Sequence, residues 1–317
     1  MEGGGFRGVY TAGVLDFFID RKAMFSSVYG ISAGACNALN YLSQDRGRYI
    51  EIAKRFCNDP RYMGVGQLLK TGSIFNWQFS FYEIPERYIS YNYDTFYASP
   101  MHLKVGATDC ATGRCHWFSR ENGDDLIRDS IASSSMPLLA PMQEIAGRQY
   151  LDGGIADSIP VGQAMQDGWE KQVIVLTQNK GYVKKPNKLM PLIRLRYRRY
   201  PALCHTMQQR HIDYNRSLQT AQQLETVPYH QLAQAYRNVS PALKAKDANV
   251  GQSPHPNRFY LGDPLQNGSG FRPETADVPV LIGTVYSEFY GFFDGLKGVG
   301  PEEAVGLSAA ETLREQF

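Results

Sequence analysis

Tyr29-Gly30-Ile31-Ser32-Ala33-Gly34 is the stretch whose reading decides the fold. A short β-branched and aromatic run, Phe25-Ser26-Ser27-Val28-Tyr29, precedes it, and the helix-like run Ala35-Cys36-Asn37-Ala38-Leu39-Asn40-Tyr41-Leu42 follows. Strand, G-x-S-x-G and helix in that order are the context of a nucleophile elbow, in which a sharp, strained turn lifts a serine hydroxyl above the end of a sheet. Gly30 and Gly34 remove side-chain bulk where strand and helix approach each other. Ser32 then stands at a helix N-terminus, where backbone N–H groups and the helix dipole favour a developing negative charge.

Upstream lies Gly3-Gly4-Gly5-Phe6-Arg7-Gly8, followed by an amphipathic run through about Ile19 with Val9, Ala12, Val14, Leu15 and Phe18 apolar. Gly3, Gly5 and Gly8 satisfy the dinucleotide fingerprint G-x-G-x-x-G, which requires a preceding strand and an acid at the end of the next one. Here the next strand runs into the serine elbow. The better reading is an oxyanion hole, since consecutive glycines let a substrate carbonyl approach bare amides at a helix N-terminus.

A serine nucleophile needs an adjacent base. None of the six histidines, His102, His116, His205, His211, His230 and His255, is framed by a glycine-rich loop at a strand end. Asp152 is better placed. It follows the strand-like Tyr150-Leu151 and stands before Gly153 and Gly154, and a carboxylate in a dry pocket can serve as base. The competing reading is an ordinary Asp-Gly turn.

The rest of the chain alternates strands and helices. Helices are predicted over 46–56, 124–133, 161–166 and 204–225. A hairpin is predicted over 103–108 and 115–118, short strands over 142–145 and 149–151, and a buried strand over 173–177. Such alternation argues a mostly parallel sheet covered on both faces. Residues 75–97 are dense in aromatics without a clean period, and read either as an acyl-chain pocket or lid or as the packing of an irregular insert. Residues 180–199 carry Lys180, Lys184, Lys185, Lys188, Arg194, Arg196, Arg198 and Arg199 with no acid, interleaved with leucines. That pattern fits a solvated face or an anionic-membrane patch; nucleic acid is not expected, because no stacking platform accompanies it. A polar connector over 253–273 and helices over 279–293 and 301–314 complete the reading.

Composition is consistent with this. The chain has 317 residues, 43% hydrophobic and 20% charged, with a net charge of +2, which gives no global pull toward nucleic acid. Aromatics make up 12%, with 20 Tyr, leaning toward apolar or amphipathic ligands. No run of about 18 apolar residues suggests a membrane span. The five cysteines have no zinc-like spacing, and no leader-like run precedes Glu2-Gly3-Gly4-Gly5, so a cytoplasmic protein with reduced thiols is expected, peripheral at the inner membrane surface if the basic stretch binds lipid.

Gly3-Gly4-Gly5-Phe6-Arg7-Gly8, then Gly30-Ile31-Ser32-Ala33-Gly34, then Asp152-Gly153-Gly154 together resemble the patatin-like phospholipase family, in particular bacterial members whose loop reads E-G-G-G-x-R-G. The resemblance implies a three-layer α/β/α fold, with a catalytic domain over 1–235 and a mainly helical extension over 236–317 packed on it. It also implies a Ser-Asp dyad that hydrolyses acyl esters of phospholipids or related lipids without metal or cofactor. Ser32 would be the nucleophile and Asp152 the base. Gly4, Gly5 and Phe6 would supply the oxyanion-hole amides, with Ala33 assisting and Arg7 as electrostatic support. The family normally places a hydrophobic strand immediately before the glycine loop, where this sequence has Met1 and Glu2. Either the sequence is truncated there, or another segment or chain fills the slot. A non-hydrolytic, membrane-peripheral lipid-binding protein is the alternative, and acyl transfer to an acceptor other than water would use the same residues.

Overall fold

The computed structural model describes residues 1–169, 172–179, 181–224 and, for the backbone, 281–283. A 3₁₀ turn, Gly5–Arg7, leads into α1 (Gly8–Asp20), then β1 (Ser27–Ile31), α2 (Ala33–Leu42), α3 (Arg48–Phe56) and α4 (Val65–Thr71). A π-helical segment, Phe79–Tyr88, and α5 (Tyr93–Ala98) follow, then β2 (His102–Asp109), β3 (Cys115–Ser119) and α6 (Leu126–Ser133). The chain continues through β4 (Gln143–Ile145), β5 (Arg148–Asp152), α7 (Val161–Gln166), β6 (Val173–Val175), α8 (Met190–Arg196), α9 (Pro201–Gln223) and β7 (Leu281–Gly283).

The architecture is α/β, with helices around strands whose pairing is mixed rather than mostly parallel among the described residues. Parallel pairing holds at β1–β2 and β6–β7. The short β2–β3 and β4–β5 connections are hairpins and therefore antiparallel, as is β2–β5. Alternation along the strands shows that both faces are covered. Tyr150 joins a cluster with Phe18 of α1, Leu42 of α2 and Leu126 of α6, whereas the next residue, Leu151, packs with Ile193 of α8 and with Leu203 and Met207 of α9. In β6, Val175 belongs to the first cluster, and Ile174 and Leu176 face Tyr214 and Ala221 of α9.

β2 has three partners and only two edges. β1 pairs with residues 102–106 and β3 with 104–108, so their overlap puts them on opposite edges. β5 pairs with 107–109, overlapping β3, and must share the edge used by β1. β1 ends with Ile31 opposite Gly106, and β5 ends with Asp152 opposite Ala107. The two strands thus run toward each other along one edge of β2 and stop on adjacent residues.

The slot beside β1 is bridged by Met1 and Glu2. The Met1 nitrogen donates to Tyr29 O at 2.7 Å, Ile31 N donates to Met1 O at 3.3 Å, and Glu2 N donates to Val175 O at 3.0 Å. Backbone groups of β1 and β6 that would otherwise be unpaired in the interior are satisfied in this way. The helix expected from 279 is corrected at its start, because Leu281–Gly283 is a strand in register with Val173–Val175. Pairing there satisfies the open backbone edge of β6. The remainder of that helix, the 253–273 connector, the 301–314 helix and the 235/236 boundary lie outside the described residues. No described helix is long and apolar enough to cross a membrane.

Gly153 sits where β5 meets β2, and a Cβ there would lie 2.0 Å from Gly106 O, whereas a Cβ at Gly162 in α7 would meet nothing within 4 Å. Gly153→Ala is expected to destabilise by at least the ~1–3 kcal/mol of an overpacked core. Gly162→Ala should be neutral or gain about 0.5–1 kcal/mol. Denaturant midpoints of the two variants compare them directly.

Candidate active site

The elbow forms because β1 delivers Ser32 directly into the first turn of α2. Ser32 has φ +54° and ψ −123°, a strained conformation for a non-glycine residue. Strand and helix come so close that a Cβ at Gly30 would lie 2.6 Å from Ala35 Cα. Gly34 is crowded in the same way by the backbone of Met1 and Glu2. The Ser32 hydroxyl donates to Asp152 Oδ2 at 2.8 Å, and both residues are buried. The other carboxylate oxygen, Oδ1, accepts from Gly154 N at 2.7 Å.

Two serines at and just beyond the end of α6, Ser133 and Ser135, hold this pair in place. Ser133 Oγ accepts from Ser32 N at 2.8 Å and donates to Gly106 O at 2.6 Å. Ser135 O accepts from Asp152 N at 2.8 Å, and Thr108 Oγ1 donates to Asp152 O at 2.8 Å. The end of α6 therefore fixes both backbones at the point where β1 and β5 meet.

Burial is the largest influence on the Asp152 carboxyl and raises its pKa. Arg210, the hydrogen bonds from Ser32 and Gly154, and Lys184 draw it back down. Arg210 donates from Nε to Gly154 O, one peptide beyond the residue after Asp152. Sequence reasoning missed this arginine because it lies in a polar stretch of α9, 58 residues beyond Asp152. Of the described histidines, His102 pairs with Glu121, His116 packs on Phe118 and Tyr150, and His211 bonds within its own helix to Gln208 O.

The glycine loop presses on the elbow. A Cβ at Gly3 would lie 2.8 Å from Ser32 Cβ, and one at Gly4 would meet Thr177 Oγ1 at 2.7 Å. Gly5 has φ +57° and open space around it. Arg7 N donates to Gly4 O at 3.2 Å, so its amide is committed to the turn, while Gly5 and Phe6 line the cavity that contains Ser32. Gly8, at the start of α1, is tied to α2 by Asn37, whose amide donates to Gly8 O at 3.0 Å and Ala33 O at 2.9 Å.

That cavity, whose space of about 990 Å³ includes its mouth open to solvent, is walled by Ser32, Ala33, Leu39 and Ile52 together with Phe75, Trp77, Phe81, Pro85, Tyr91 and Tyr93. The aromatic segment divides its labour. Phe79 and Ile84 are buried with Phe56 in a small core, leaving their neighbours for the cavity wall. Arg48 anchors the segment, donating to Ser90 O and Asn40 Oδ1, each at 2.8 Å, and lying over the Tyr91 ring.

Two outcomes follow for the site. Ser133→Ala leaves the buried Ser32 amide without its acceptor, which should cost about 1–3 kcal/mol in stability, read as a lower denaturant midpoint. Because burial holds the folded Asp152 pKa above its unfolded value, ionising it above that folded pKa costs stability, and what it contributes is present at lower pH and lost as pH rises through the folded value. Asp152→Asn should therefore leave the melting temperature at pH 7 equal or higher; a marked fall contradicts the assigned burial effect.

The patatin-like phospholipase family model matches residues 1–165. A relative from Escherichia coli (strain K12), described as "Uncharacterized protein YjjU", is 28% identical over 183 residues, which is 56% of this chain and 50% of the relative. The chain thus spans about half the length of the curated relative it matches. With the elbow, the glycine loop and the Asp-Gly-Gly strand end all inside the matched segment, the chain belongs to the patatin-like phospholipase family.

Proposed function

We propose that the chain hydrolyses carboxylic esters of phospholipids or related lipids through a dyad of Ser32 and Asp152. The observation that carries this reading is the 2.8 Å hydrogen bond to a buried carboxylate from the Ser32 hydroxyl, and Ser32 lines an apolar cavity. Ser32 Oγ attacks the ester carbonyl carbon as its proton passes to Asp152 Oδ2. The resulting oxyanion accepts from the amides of Gly4, Gly5 and Phe6, assisted by Ala33 N at the start of α2. Collapse of this intermediate breaks the bond to the leaving alcohol, which takes the proton from Asp152 and departs. Water, deprotonated by Asp152, then attacks the acyl-enzyme and releases the fatty acid, returning the proton to Ser32. The aromatic cavity supplies a dry slot for the acyl chain.

The basic stretch supports contact with an anionic membrane. Leu189, Leu192 and Leu195 are exposed, while Ile193 and Tyr197 face inward, so α8 presents an apolar stripe to solvent. Arg194, Arg196, Arg198 and Arg199 surround it and are also exposed. Leucines entering the acyl boundary with arginines at headgroup level are the arrangement of an interfacial helix.

A fluorophosphonate probe should label the wild type at Ser32, with labelling lost in Ser32→Ala and reduced at least about 100-fold in rate in Asp152→Asn. Equal labelling of Ser32→Ala contradicts the nucleophile assignment, and loss of activity on changing a single histidine contradicts the dyad. In vesicle sedimentation, replacing Leu189, Leu192 and Leu195 by serine should weaken binding to anionic vesicles, and binding of the unmodified protein should fall with salt. Vesicle binding without any ester cleavage would favour a non-hydrolytic lipid-binding protein instead.

A further inference from the structure

Near the dyad, but off the wall of the aromatic cavity, three cations come together from three separate elements. Arg7 comes from the glycine-loop turn, Lys184 from the segment ahead of α8, and Arg210 from α9. None of them is on the cavity wall. Arg210 reaches Gly154 O, beside Asp152. Lys184 Nζ lies 4.4 Å from the centre of the Tyr214 ring, one helical turn along α9 from Arg210, and its backbone is clamped by two hydrogen bonds with Asn215. The Tyr214 hydroxyl donates to Glu2 Oε1 at 2.8 Å, and Thr177 N donates to Glu2 Oε2 at 2.6 Å.

This cluster has more positive charge than its acids use. Glu2 is bonded by Tyr214 and Thr177, and Asp152 by Ser32 and Gly154. Among the described residues, Arg7, Lys184 and Arg210 form no ion pair. The Arg7 Nε is buried and has no hydrogen-bond partner among the described residues. All three side chains remain partly open to solvent, so an anion can reach them. The mutual proximity also shows in the Lys184 ammonium, which burial and the Arg210 and Arg7 charges, against the pull of Glu2 and Asp152, bring down to about 8. Three cations set against only two buried acids leave an excess of positive charge, which a bound anion would offset. Guanidinium forks and an ammonium suit the geometry and charge of phosphate oxygens.

We propose that Arg7, Lys184 and Arg210 form a phosphate-binding subsite that takes the headgroup phosphodiester of a glycerophospholipid while its acyl chain fills the aromatic cavity. Placed this way, the scissile ester lies between the two, at Ser32. The orientation of the lipid rests on the acyl-hydrolase reading given above; the binding of phosphate does not.

The test has a binding arm and a turnover arm. In the first, Ser32→Ala protein is titrated with dibutanoylphosphatidylglycerol and with dibutanoylglycerol, both kept monomeric so that no membrane contributes. The phosphate-bearing ligand should bind at least about tenfold more tightly, as expected for a charge-assisted contact. That preference should vanish when Lys184→Gln is added and persist with Lys184→Arg. Equal binding of the two ligands to Ser32→Ala overturns the subsite without reliance on any further variant. Inorganic phosphate displacing the lipid as effectively as soluble glycerophosphoglycerol overturns the headgroup assignment in favour of a free-phosphate site. In the second arm, the ratio of kcat/KM for the phospholipid to kcat/KM for the neutral diester should fall at least about tenfold in Lys184→Gln and recover in Lys184→Arg. An unchanged ratio in an active enzyme sinks the subsite. A binding preference in a protein that cleaves neither ester sinks the hydrolase reading and leaves the subsite standing.

Discussion

The structure depends on two strands stopping head to head on one edge of β2. β1 and β5 approach from opposite directions and end opposite Gly106 and Ala107. Only because of that collision does a hydroxyl from residue 32 meet a carboxylate from residue 152 at 2.8 Å. The meeting point is crowded, which explains its glycines. A side chain at Gly153 would run into Gly106 O, and one at Gly30 into the backbone of Ala35. It is also pinned, since Ser133 holds the Ser32 amide and Ser135 holds the Asp152 amide. Burial then raises the proton affinity of the carboxyl, and Arg210 limits the rise.

The glycine loop depends on the same frame from the other side. Met1 and Glu2 link β1 to β6 through backbone hydrogen bonds, and the Glu2 carboxylate is held by Thr177 and Tyr214. Loop, elbow and α9 are thereby joined across a single layer. The cost is a buried acid whose pKa is pushed upward by desolvation and partly restored by those two hydrogen bonds. Cations from α9 and the preceding segment gather here, off the wall of the aromatic cavity. An apolar space and a cationic cluster near one serine give the site two parts of opposite character.

Much of this was legible in the chain because short-range patterns encode it. The elbow is written in Gly30-Ile31-Ser32-Ala33-Gly34, and the strand end in Tyr150-Leu151-Asp152. The α/β class follows from strands and helices in alternation. What the sequence hides is set by contacts between distant residues. Ser133 and Ser135 look like any polar helix end until their partners at Ser32 and Asp152 are known. Arg210 lies among ordinary polar residues of α9, and its approach to Gly154 depends on how that helix packs. The aromatic segment has no period because some of its rings serve a small core and others the cavity wall, two demands that no single repeat satisfies. Leu281–Gly283 reads as helix in isolation and pairs as strand because β6 has an open edge.

Rapid quenching of the protein during turnover of a short-chain ester, followed by peptide mass analysis, addresses the central claim most directly. An acyl group carried on the peptide containing Ser32, accumulating before steady state and decaying on chase with unlabelled buffer, is the predicted result. Ester cleavage with the acyl group on another residue, or turnover that continues undiminished when Ser32 is replaced by alanine, would contradict it.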